Sequence, residues 1–530
     1  MHALPRPLKI AVPMTALALT LAGCSGGAAP TSTDGTDAAS EPVVGGTITV
    51  TLPSDPGTLD SAVSTLQVTQ YMNSHVLEGL LALDSSYSPK PMLADTYEVS
   101  ADGLRYTFDL RDGVLFHDGS ALDAEDVVAS LTRFFDVSSV GKQAKPSIST
   151  IEATDDDTVL LTLSSPRYPL LSELASPGAA ILPAEIASAA GAVALSAEQA
   201  IGTGPYQLDA YDTGVGVDLI RFDDYASRSE EDWGGYAGAK HAYLDEIDFK
   251  FVAEDATVVN GLTAGQWQVS TPGNDQYDVL KANPNLVVEP SAGGVVNTIV
   301  LNHNEASVFS DPKAREALNL LLDKTALAAA SGTSGDLLVP TGAFASPENE
   351  PMYSEEGEDV YSDHDPERAA ELFAEAGVTR VRMLVPTTYP QMVAWGTVVQ
   401  NALSEIGIDA AIESYDNTTV RAVATDEPES WDLTFTFING VLTSPSQVNW
   451  LQPTYISSYM NADLDSLLAD YSDAADADAA KAVVDDIQAL VWDDIPSVVI
   501  YGSKQYAAWT SDLQGFDNFA LILYNSWLAE

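Results

Sequence analysis

Cysteine occurs once, at Cys24, in a chain of 530 residues. A lone thiol makes no internal disulfide, no cysteine-based zinc site and no iron–sulfur cluster, so stability must come from packing. Basic residues are scarce as well: 23 Lys and Arg stand against 77 Asp and Glu, a formal net charge of −54. That balance repels phosphate backbones, which argues against nucleic acid as a partner, and it disfavours anionic membrane surfaces. Six histidines are scattered without an HExxH or HxxH pairing, so no metal site is expected. GxxxxGK[ST], GxGxxG and GxSxG are absent, leaving a nucleotide motor or a serine hydrolase without its motif. A secreted glycosidase needs only two carboxylates roughly 5–9.5 Å apart, and so many acids keep that class open. No cofactor is called for. Apolar residues make up 45% of the chain, with 8 Trp, 21 Tyr and 14 Phe, enough to fill the cores of roughly three to four domain-sized units.

The first segment reads as an address. Arg6 and Lys9 precede an apolar stretch from Ile10 to Leu21, too short to stay as a spanning helix, which ends in Leu21-Ala22-Gly23-Cys24. Those four residues resemble the lipobox of bacterial lipoproteins, which implies cleavage after residue 23 and acylation of Cys24, and so a lipid anchor at the membrane. Residues 24–45, mostly Gly, Ala, Pro, Thr, Ser and Asp after Cys24, have little to bury and read as the acylated cysteine and a flexible tether spanning roughly 25 Å. The expected location is the extracellular face of the cell membrane.

Helices announce themselves by caps and period. Asp123 caps a helix with Asp126 three residues on, and Val127, Val128, Leu131 and Phe135 form its stripe. Asp311-Pro312 and Asp365-Pro366 are caps followed by proline at the first helical position, and Gly377 stops the second of these helices. A helix after Pro390 carries Trp395, Val398, Val399, Ala402 and Ile406 and stops at Gly407; two more fit Leu464 to Tyr471 and Ala480 to Val491. Alternation predicts strands at 47–52, 106–110, 158–163, 217–222, 247–251, 380–385, 408–413, 432–437 and 498–501. The mixture argues for α/β lobes with mixed sheets.

Residues 75–131 are the most informative. They contain His75-Val-Leu-Glu-Gly-Leu-Leu, Pro91-Met-Leu-Ala-Asp-Thr-Tyr, Ala101-Asp-Gly-Leu-Arg-Tyr-Thr-Phe-Asp-Leu-Arg-Asp-Gly-Val-Leu-Phe-His-Asp-Gly and Leu122-Asp-Ala-Glu-Asp-Val-Val. Further on come Gly202-Thr-Gly-Pro-Tyr206, Tyr243-Leu-Asp-Glu-Ile247, Asp311-Pro-Lys-Ala-Arg-Glu-Ala-Leu-Asn319 with Asp323-Lys324, Asp365 to Gly377, Gly407-Ile-Asp409 and Ile495-Pro496. From about residue 46 to 530 the chain resembles the family 5 extracellular solute-binding proteins, the oligopeptide, dipeptide and nickel type that deliver ligands to ABC importers. The resemblance implies an α/β, two-lobed periplasmic-binding-protein-like fold, class II, of the large type with an extra subdomain, mixed sheets and a hinge cleft. It divides the chain into lobe I (46–75, 200–300 and 500–530), the extra subdomain (76–199) and lobe II (301–499). It also implies a non-enzymatic monomer that serves an ABC permease and its ATPases. Most matching pieces read as scaffold: Asp102-Gly103 and His117-Asp-Gly119 are turn chemistry, and Gly202 to Tyr206 is a crossover turn.

In such a fold the ligand meets loops at strand ends. The candidates are Ser54 after the first strand; Thr387 and Tyr389 with Trp395 after the 380–385 strand; and Asn439, Thr443, Ser444, Asn449 and Trp450 after Phe437. Peptide-binding members place an Asp in this last region for the ligand's α-ammonium, because a buried cation needs a counter-charge. No Asp or Glu lies between Phe437 and Trp450 here. Neutral amides and hydroxyls beside an indole suit an oligosaccharide as well as a peptide, so both ligands stay open. Trp395 lies on its helix's apolar stripe, where core packing competes with a ligand role, and the same two readings hold for Trp450. The dispersed acids read as a solvated surface, with steering of cationic ligands as the other reading.

Overall fold

The computed structural model describes residues 41–361, 363–439 and 442–529; the signal segment, Cys24 and the tether up to residue 40 lie outside the described residues. No helix among the described residues is long and apolar enough to cross a membrane. The architecture is α/β around a mixed sheet of 11 strands. Its strands are β1 (Thr47–Leu52), β2 (Tyr206–Asp212), β3 (Gly216–Arg221), β4 (Glu246–Phe251), β5 (Val269–Ser270), β6 (Leu286–Leu301), β7 (Leu338–Val339), β8 (Arg380–Pro386), β9 (Asp409–Tyr415), β10 (Leu433–Asn439) and β11 (Ser497–Thr510). They lie in the order β9-β8-β10-β6-β11-β5-β1-β4-β3-β2, with β7 on β11.

Two long antiparallel strands, β6 and β11, run through both halves of this sheet. On one side β1, β4 and β5 are parallel to one another; on the other, β8, β9 and β10 are. Each half has its own core. Ile48, Val50, Ile247 and Phe249 pack with Phe108, Leu161 and Leu523 in one, while Ile299, Phe373, Met383, Trp395 and Ile500 form the other. A four-stranded antiparallel sheet (Ala94–Val99, Arg105–Leu110, Thr158–Leu163, Ile148–Ala153) extends the first core together with the helix Ala124–Val137.

The caps form as their residues dictate. Asp123 accepts from the backbone N–H of Glu125 and Asp126, and Asp126 accepts in return from Asp123 N–H at 3.0 Å, a closed capping box. Asp311 and Asp365 cap the helices Pro312–Leu321 and Pro366–Glu375. Gly377 and Gly407 stop their helices in the left-handed region, at φ 70° and 83°. Gly202 and Gly204 pass against the Val76 carbonyl, where a Cβ would collide. His117 fastens that crossover: its Nδ1 accepts from Gly202 N–H at 3.2 Å and its Nε2–H donates to Gly204 O at 3.0 Å.

Two more histidines are held neutral by burial. His75 is fully buried, donates from Nδ1 to Tyr71 O at 2.8 Å and accepts at Nε2 from Leu523 N–H at 3.1 Å, a pattern only the neutral ring satisfies. Burial pushes its pKa down to about 4, and burial does the same to His303, which bonds Pro496 O at 2.8 Å. Both native values lie below the unfolded value of about 6.5, so the unfolded chain binds more protons in that window. Their contribution, about 3 kcal/mol each at neutral pH, is complete above pH 6.5 and is lost as pH falls toward 4. Urea unfolding between pH 7 and 4 should show this decline, and His75→Gln should remove about half of it.

Candidate functional site

The strands of the two halves aim their carboxyl ends at one place. Asn439, the end of β10, lies opposite Val295 of β6, which lies opposite Ser503 of β11. From the other side, Thr51 of β1 lies beside Ser270 of β5, which lies opposite Ala508 of β11. Between Ser503 and Ala508 the strand advances roughly 17 Å. In open α/β sheets ligands bind outside the carboxyl ends of the strands, so this junction, with the loops that follow β1, β8, β9 and β10, is the candidate binding site.

The junction is irregular and polar. The β6–β11 register shifts between Pro290 and Gly294, and a Cβ at Gly294 would collide with Ser346 Oγ. Asn297 donates to Ser503 Oγ at 3.0 Å, Ser291 Oγ donates to Gln505 O at 3.0 Å, and Gln67 Nε2 donates to Gln505 Oε1 at 3.0 Å. Lys504 pairs with Glu348 at 2.8 Å. Although burial pushes the Glu348 carboxyl up, Lys504 and Ser346 hold it below its ordinary value. Burial, together with the Glu348 charge, pushes the Tyr87 hydroxyl up to about 12.

The sequence-chosen residues fall into two groups. Ser54 is exposed at the end of β1, in a loop that Asp55 anchors by accepting from Tyr211 O–H at 2.5 Å and Gly214 N–H at 2.6 Å. Thr387 is exposed at the end of β8 and donates from its N–H and its Oγ1 to Tyr415 O, at 2.8 and 3.0 Å. Tyr389 is half-buried and stands edge-on to Phe437 with ring centres 5.3 Å apart. Asn439 ends β10. Thr443 and Gln447 bond each other, Thr443 N–H to Oε1 at 3.0 Å and Nε2–H to Thr443 Oγ1 at 2.7 Å, while Ser444 caps the short turn that follows. Asn449 is exposed and lines a cavity of about 560 Å³ with Ser446 and Gln452 on one wall and Gln143 and Arg167 on the other.

The two indoles are buried. Trp395 is 0% exposed and donates from Nε1 to Tyr501 O–H at 3.2 Å. Trp450 is 0% exposed within a third core with Tyr459, Val484 and Ile487, and its Nε1 has no hydrogen-bond partner among the described residues.

Contacts bridge the cavity's two walls. Ser446 Oγ donates to Gln143 Oε1 at 3.0 Å, Tyr168 N–H donates to Ser472 O at 2.8 Å, and Tyr168 meets Tyr471 edge to face at 5.6 Å. Arg167 is locked bidentately on Glu173, Nε to Oε2 at 2.8 Å and Nη2 to Oε1 at 2.5 Å. Gln143, Glu348 and Lys504 escaped the sequence reading because nothing in their own segments marks them; only the fold brings them to the junction. Among the described residues no group of three or more His, Cys, Asp or Glu is arranged to hold a metal ion.

This is the fold of a periplasmic binding protein: a solved oligopeptide-binding protein of Bacillus subtilis, in complex with a nonapeptide, superposes with a TM-score of 0.76 at 20% identity, covering 92% of this chain and 100% of that one. The sequence model described as bacterial extracellular solute-binding proteins, family 5 middle, matches residues 88–462, and the chain belongs to that family. It is similar to a probable peptide ABC transporter periplasmic-binding protein of Sinorhizobium fredii, 28% identical over 486 residues, 86% of this chain and 88% of that protein. It is similar also to the glutathione-binding protein of Escherichia coli, 26% identical over 492 residues, 88% of this chain and 91% of that protein. Proteins of this family are non-enzymatic transport components, so the glycosidase reading falls away.

Proposed function

We propose that this chain is the lipid-anchored receptor of an ABC importer, capturing an oligopeptide outside the cell and presenting it to the permease. The observation that carries the reading is the convergence of both sets of strand ends on one polar junction. The relatives named for peptide and glutathione binding support the same ligand class. The halves act as lobes that close on the ligand by bending at β6 and β11, where the register already shifts. In this reading lobe I comprises 46–75, 200–300 and 500–530, the extra subdomain 76–199 and lobe II 301–499. The protein works as a monomer held by acylated Cys24. The oligosaccharide alternative rested on the missing acid of the 438–450 loop and on stacking faces at Trp395 and Trp450, and both rings are buried.

Deleting the gene should abolish uptake of labelled oligopeptides, with full-length wild type restoring it. Cells fed labelled palmitate should mark the wild-type chain and not Cys24→Ala, which should appear in the medium. Undiminished peptide uptake in the deletion strain would overturn the transport role.

A further inference from the structure

The loop after β10 lacks the acid that a peptide's α-ammonium requires, yet an acid from another segment stands beside it. Asn349 Nδ2 donates to Leu442 O at 2.8 Å, which ties residues 346–349 to that loop. Glu348, the preceding residue, is 21% exposed and reaches the junction, where its Oε1 meets Lys504 of β11 at 2.8 Å and its Oε2 accepts from Ser346 Oγ. Across the junction Tyr87, from the other half of the molecule, lies within the field of the same carboxylate. Tyr87 packs on Phe519 at 5.1 Å, and Phe519 meets Tyr236 at 5.6 Å. Tyr87 also holds a left-handed backbone, φ 62°, a conformation costly for a bulky residue and concentrated at ligand clamps.

We propose that Glu348 is the anionic anchor for the ligand's primary ammonium, with Lys504 occupying that carboxylate until the ligand displaces it. This rests on the peptide-receptor reading above. A carboxylate at this junction suits a primary ammonium, which it would hold by charge-assisted hydrogen bonds. Lys504 sits on the strand that joins the halves, so its release from Glu348 couples ligand capture to the hinge. The ligand class that follows is peptides with a free amino terminus or an equivalent amine, in preference to blocked ones.

The test uses full-length protein and a mixed pentapeptide library, with free or acetylated amino termini, scored by the apparent Kd from isothermal titration calorimetry. Wild type should favour the free-amine library. Glu348→Gln should weaken binding of that library about 10- to 100-fold and leave the acetylated library unchanged. Lys504→Met should tighten free-amine binding by about fivefold, because it removes the competing cation. A merely structural pair would instead lose affinity for both libraries in both variants, which would overturn the inference. Equal wild-type affinity for the two libraries would overturn it too while leaving peptide binding intact, whereas a wild type that binds neither would remove the peptide reading itself.

Discussion

Arg133→Ala is expected to lower the unfolding free energy by about 3–5 kcal/mol. Arg133 and Asp60 are both buried, at 5% and 3% side-chain exposure, with Nη2 on Oδ2 at 2.5 Å and Nη1 on Oδ1 at 3.2 Å. The same guanidinium donates to Gly191 O at 2.9 Å and to Val193 O at 3.1 Å, while Asp60 also accepts from Leu195 N–H at 3.1 Å. Alanine therefore strands a buried carboxylate and orphans two carbonyls, and removing one partner of a buried pair costs far more than the pair contributes. Arg133→Lys keeps the charge but loses the planar fork, so it should fall between. The pair stitches the chain after β1 to the helix Ala124–Val137, so its loss should also loosen the loop that carries Ser54. Denaturant unfolding decides the matter: a loss below about 1 kcal/mol would mean that the pair is not the clasp described.

Trp395→Ala should cost a further about 3–5 kcal/mol, by transfer and cavity terms together. The indole fills the second core beside Phe435, stands edge-on to Tyr501 at 6.0 Å and donates to its hydroxyl, which in turn bonds Ser331 Oγ at 2.6 Å. Deleting it empties the largest side chain of that core and leaves Tyr501 with one partner fewer. Ligand affinity, measured well below the variant's melting temperature, should hold near the wild-type value because a ring with no exposed surface touches no ligand. A variant with unchanged melting temperature and lost affinity would give the indole the ligand role that its place in the sequence also allowed.

Much of the architecture was legible because its signals are local. Caps at Asp123, Asp311 and Asp365 and stops at Gly377 and Gly407 fixed helix ends within a residue or two, and alternation located β1, β4, β8 and β10. The two long strands were not legible in full. β6 carries Pro290 and Gly294 in its middle, which read as breaks, and β11 beyond Tyr501 contains Gly502, Lys504 and Gln505, which read as loop. Both stay extended because they pair with each other across the junction, a tertiary cause that no short window of sequence contains. The site divides along the same line. Ser54 and Thr387 follow strands visible in the sequence, and the structure leaves them exposed at strand ends. Glu348 and Lys504 lie 156 residues apart and meet only through the fold. The indoles marked the limit of stripe reasoning, since helical spacing says which face a tryptophan shares and not whether that face is core or cleft.

The most direct test of a peptide receptor built on this junction is a thermal-shift screen of the chain from Pro42 onward against oligopeptide, oligosaccharide and metal-chelate panels. A ligand that binds only the folded state raises the melting temperature in proportion to the logarithm of its concentration over Kd, about 2.7 kcal/mol at a hundredfold excess. The proposed peptide-receptor role predicts a concentration-dependent rise with oligopeptides and none with sugars or chelates. A rise with oligosaccharides alone would contradict it.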